Sequence, residues 1–275
     1  MATRILAAPN RPFATARLPI LTLLHPREQG RPAVLMLAGA LVVGALEMSQ
    51  LGWPLWGATS TVLLLLLVPG VAKWRADARR YGRVAMGLSF VLFAQGFHTI
   101  EHITQWVQYH ILNLSARDST GFLSAANSEW VHFVWNWLLM AGIVVLMVAG
   151  VRNEWSVMLL FWAFAHTMEH TYMFVRYLQV LDELRRLGVT TITAQGLPGI
   201  LGVDGWLARS DLTQGTLLCH LPGLTTANRL DIHFWWNAIE FTLLACAANT
   251  YLRRVLPGPA PRIAPGDGSA DSVRV

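Results

Sequence analysis

Apolar residues in this chain run in long blocks, separated by short segments where arginine, proline and glycine gather. Crossing the hydrocarbon core of a bilayer takes about 20 mostly apolar residues in a helix. The blocks predict six such helices, over 33–50, 55–72, 84–111, 130–150, 155–180 and 232–254. The expected fold class is all-α: a polytopic membrane bundle spanning residues 33–256. Residues 1–32 precede it, without the clean apolar stretch of a cleavable leader. A Pro-, Gly- and Ser-rich tail over 257–275 reads as disordered.

Polar residues interrupt four of these blocks in a repeated way. His98-Thr99-Ile100-Glu101-His102 recurs as His166-Thr167-Met168-Glu169-His170. His132-Phe133-Val134-Trp135-Asn136 follows the first copy, and His233-Phe234-Trp235-Trp236-Asn237 follows the second. The pattern predicts a duplicated helical hairpin, spans three and four (84–150) matching spans five and six (155–254). Helices three and five then run in the same direction, as parallel repeats. A modest loop over 112–129 joins one hairpin. A long one over 181–231, with the apolar stretch Gly196–Gly202, joins the other, and loops of that length often form lids or binding loops.

Composition agrees with a membrane class: 54% of residues are hydrophobic and 13% charged, too few charges to cover a soluble domain. The net charge of +5 does not point to nucleic acid, because its placement is one-sided. Arg4, Arg11, Arg17, Arg27 and Arg31 precede the first span. Lys73, Arg75, Arg79, Arg80 and Arg83 follow the second, Arg152 the fourth, and Arg253, Arg254 and Arg262 the last. The positive-inside rule makes that side, with both termini, cytoplasmic. The membrane is expected to be a bacterial inner or plasma membrane, with the histidines in its outer half. The two cysteines, Cys219 and Cys246, form no metal or disulfide framework.

Ionisable groups inside a bilayer are costly and persist where they face a partner, an ion or a water-filled cavity. Residues i, i+3 and i+4 share one helix face, so His98, Glu101 and His102 project together, as do His166, Glu169 and His170. With His132 and His233 they supply six imidazoles and two carboxylates. That set suits two metal ions, iron first, with zinc, manganese or copper open. Glu101 and Glu169 are the expected bridging or terminal ligands and the catalytic groups. Asn136, Asn237, Glu240 and Glu47 are expected around the ligands. The tryptophans read mostly as anchors at the membrane interface.

Helix-borne carboxylate and histidine ligands facing a four-helix core resemble the principle of the soluble di-iron proteins. Only Glu129 and His132 show their Glu-x-x-His spacing. His-x-x-Glu-His also resembles the inverzincin protease signature, although that mechanism has no use for two copies. Histidine-rich membrane desaturases and hydroxylases are similar in kind, but their paired His-His boxes are absent. The expected function is oxidation of an apolar small molecule, supported by a redox partner and surrounded by lipid. A haem b electron carrier, a hydrolytic metal site and a metal transporter are the alternatives.

Overall fold

The computed structural model of the chain describes residues 18–256 apart from Thr193. Arg4, Arg11, Arg17 and Arg262 of the charge pattern, and the tail read as disordered, lie outside the described residues. Within them, regular structure is helical throughout. Six long helices carry it: α1 (Gly30–Leu51), α2 (Leu55–Tyr81), α3 (Arg83–His110), α4 (Glu129–Val148), α5 (Glu154–Arg186) and α6 (Arg229–Val255).

Two helices outrun their apolar blocks. Lys73, Arg75, Arg79 and Arg80, expected in a loop, form the last turns of α2. Lysine and arginine are good helix formers, and nothing stops the helix before Gly82, whose φ of +88° suits glycine. Lys73 is buried there, 2.5 Å from Asp77 and 3.0 Å from the Ser89 hydroxyl of α3. In the same way α5 continues past residue 180 to Arg186, before Gly188 at φ +66°. The long loop is therefore 187–228.

Among the described residues, α1 to α4 are the helices long and apolar enough to cross a membrane. Helices α5 and α6 carry more polar side chains along their length. His166, Glu169, His170 and Arg176 lie on one, Asp231, His233, Asn237 and Glu240 on the other.

Helix α1 packs on α2, where Gly44 sits close against Ala58, and α2 packs on α3. The remaining four form a group in which α3 lies along α6, α4 along α5, and α5 against α6. Towards one end this group is filled by Leu88, Leu92, Ile143, Leu159, Leu244 and Leu252. The other end, closed by the connections after α3 and α5, holds the histidines. Helix α1 buries only Ala40 and Gly44. Val34, Leu35, Leu41, Val42 and Leu46 leave an exposed apolar face of the kind that belongs against lipid or another apolar surface.

Candidate metal centre

Five of the six motif histidines are buried: His102, His132, His166, His170 and His233 are each at most 6% exposed. His98 is half-buried. One helical turn separates the two histidines within each first motif, so their rings meet. Nε2 of His98 lies 3.3 Å from Nε2 of His102, and Nε2 of His166 lies 3.1 Å from Nε2 of His170. Across the group, His132 stacks on His170 at 5.1 Å between ring centroids, and His233 meets His170 at 5.1 Å and His102 at 5.7 Å. His98, His102 and His132 bring their ligand atoms within 4.8 Å of one another, which makes them a group able to hold a metal ion. Among the described residues the corresponding His166, His170 and His233 are not drawn as close.

The partners of the other ring nitrogens decide which way these imidazoles face. Nδ1 of His132 is 3.4 Å from the Ser128 carbonyl, and Nδ1 of His233 is 2.9 Å from that of Arg229. Nδ1 of His102 is 3.0 Å from Oε1 of Gln105, and Nδ1 of His166 is 3.0 Å from a carboxylate oxygen of Glu240. Each of these partners accepts, so each Nδ1 carries the proton and donates it. In a neutral ring Nε2 is then a bare lone pair. Four lone pairs are therefore assigned to the interior, and Nε2 of His233 has no hydrogen-bond partner.

The two copies share further contacts. Asn136 Nδ2 donates to the carbonyl of His132, and Asn237 Nδ2 to that of His233. Thr99 donates to the carbonyls of Gln95 and Asn237; Thr167 donates to those of Ala163 and Asn136. Trp135 lies against His98 and Trp236 stacks flat on His166, 5.2 and 5.1 Å between centroids. These two tryptophans cover imidazoles, whereas Trp130 and Trp235 are exposed in the manner of interface anchors.

The carboxylates expected as ligands are directed to the loops. Glu101 accepts the backbone N–H groups of Phe122 and Leu123, at 3.0 and 2.7 Å. Glu169 accepts those of Ile200 at 3.0 Å and Leu201 at 3.3 Å. The residue before each amide pair is a glycine, and a Cβ on Gly121 or Gly199 would overlap the carboxylate it faces. Gly121-Phe122-Leu123 and Gly199-Ile200-Leu201 are thus a third matched segment, one that the sequence reading missed.

Glu129, the other acidic residue with ligand spacing, is buried and pairs with Arg229 at 2.8 Å. It also accepts from the Gly196 amide, and its own amide donates to Gln195, while Arg229 donates to the Leu197 carbonyl. This pair ties the first turns of α4 and α6 to the long loop, a role the sequence reading did not assign.

The two halves differ at the buried rim. Gln95 donates to Asn237 and Glu240, each at 3.1 Å, and accepts from Trp135. Glu240 in turn holds His166. The matching positions carry Ala163 and Leu139, so one half has a carboxylate behind its histidine and the other an apolar side chain. Gln105, the partner of His102, is matched by Met173, and Nδ1 of His170 has no partner. Glu47, expected near the ligands, accepts from Thr61 at 3.0 Å within the α1–α2 pair.

Compared with protein-family models, curated proteins and solved structures, the chain matches none.

Proposed function

We propose that the chain is an integral-membrane metalloprotein of six spans, built on two parallel copies of a helical hairpin. Its histidines hold two transition-metal ions, with His98, His102 and His132 around one and His166, His170 and His233 around the other. The observation that carries this reading is the set of lone pairs. Four buried imidazoles have their Nδ1 protons committed outward, and ligand atoms of His98, His102 and His132 gather within 4.8 Å of one another. A cation satisfies such a set, and six protonated rings this close would repel one another. The matched hydrogen bonds of the two copies support the duplication, and the polarity of α5 and α6 is what a buried site requires of spans five and six.

An all-imidazole donor set suits iron, copper or zinc better than manganese. Rings within 4.7–6.2 Å of their neighbours leave no slot for a porphyrin, which favours bare ions over haem. The leucine-rich core beyond the histidines offers no polar path onward, which favours a resident site over transit. Hydrolysis calls for a general base beside the ion, and both candidate carboxylates are engaged by loop amides. We therefore read the centre as an oxidoreductase, with iron first, acting on an uncharged apolar molecule and exchanging electrons with a redox partner. Bound ions would supply electron transfer and open coordination positions. The protein's own part is to orient the imidazoles, keep water out through the loops and Trp236, and seat the substrate.

Optical and electron paramagnetic resonance spectra of the purified protein, before and after dithionite, test this. A reversible change in a metal signal is expected. A bound metal that stays silent in both states would contradict the redox assignment.

A further inference from the structure

A cavity of about 120 Å³ lies under the long loop, between Gly196–Gly205 and the facing turns of α5 and α6. His233 forms part of its wall. That side chain is 5% exposed, and its Nε2 has no hydrogen-bond partner. The cavity therefore reaches the histidine cluster itself. Much of the remaining wall is apolar, from Met173, Leu201 and Ile232.

The charged groups of the wall are already matched. Arg229 is held by Glu129 and the Leu197 carbonyl, Glu169 by the loop amides, and Asp204 by Arg209. An anionic ligand would find Arg229 already paired with Glu129, and a cationic one would find both Glu169 oxygens already accepting loop amides. An ionic ligand therefore gains little for the hydration it loses. The volume sets a second limit. A protein cavity of about 150 Å³ admits benzene, so this one takes a molecule of about six non-hydrogen atoms or fewer. An acyl chain does not fit.

We propose that this cavity is the substrate chamber of the histidine centre, and that its occupant is a small uncharged molecule entering from the loop side. This rests on the metal-centre reading above and narrows its substrate class.

The test uses full-length, tag-free protein whose metal content has been measured, titrated at alkaline pH with imidazole and with phenylimidazole while the metal spectrum is followed. Imidazole, small and uncharged, is expected to perturb the spectrum saturably. Phenylimidazole, too large for the chamber, is expected to bind about tenfold more weakly or worse. Val203→Trp, placed on the exposed part of the cavity wall, should abolish the imidazole response and leave the metal in place. Equal binding of the two probes, or an unchanged imidazole response in Val203→Trp protein, would overturn the chamber while the centre stands. Protein without metal would overturn both.

Discussion

At the scale of single residues, the two glutamates of the repeated motif separate from the histidines beside them. Four of the six motif histidines present a lone pair to the interior, whereas Glu101 and Glu169 accept two backbone amides apiece. Gly121→Ala and Gly199→Ala should therefore destabilise the protein by about 1–3 kcal/mol through overpacking against those carboxylates. Thermal unfolding in detergent measures it, and unchanged stability in both variants would refute the loop-anchor role. Glu240 is the other telling residue. Carboxylates behind metal-bound histidines tune affinity by about 10–100-fold, so Glu240→Leu should weaken one ion selectively and leave two ions of more equal affinity. Stepwise removal by a chelator reads this out.

The imidazoles were legible because both copies stand in long apolar runs at fixed helical spacing. Gly121 and Gly199 were not. The offset between copies is 68 residues at His98 and His166 but 78 at Gly121 and Gly199, and 101 at His132 and His233. The differences accumulate in the connections, where no helical period exposes a match.

At the scale of elements, the link between the starts of α4 and α6 is an ion pair with one fully buried member. Taking away Arg229 strands the Glu129 carboxylate, and losing one partner of a buried pair costs about 3 kcal/mol. Arg229→Met should show that loss, and Glu129→Gln added to it should recover most of it, as a double-mutant cycle reports. Additive losses would mean that the pair does not couple the two helices. Helix boundaries belong to this scale as well. Apolar runs marked where the long helices lie, but α2 and α5 end nine and six residues later, at the first glycines with positive φ. Basic side chains continue a helix readily, so a change in polarity is a poor guide to where the backbone turns.

At the scale of the whole molecule, the account requires the connections after α3 and α5 to lie on one side of the membrane and that after α4 on the other. With Cys219 and Cys246 replaced by serine, cysteines placed at Ser115 and Ser210 should react with an impermeant maleimide from outside intact cells. One placed at Arg152 should react only after permeabilisation. Labelling of Ser115→Cys and Ser210→Cys from opposite sides would rule out six spans. The long apolar helices and the gathering of the histidines could be read from hydropathy and the repeat. Which atoms face inward could not, because that depends on acceptors such as Gln105 and the Arg229 carbonyl, brought to the rings by the fold. The most direct measurement of the central claim is elemental mass spectrometry of tag-free protein purified in detergent, beside His98→Ala, His170→Ala and His110→Ala variants. The account predicts about two transition-metal ions per chain, lost from the first two variants and kept in the third, where His110 loses its contacts with Asp231, Trp106 and Tyr109, away from the cluster. Folded wild-type protein without metal, or full metal content in the His98 and His170 variants, would contradict it.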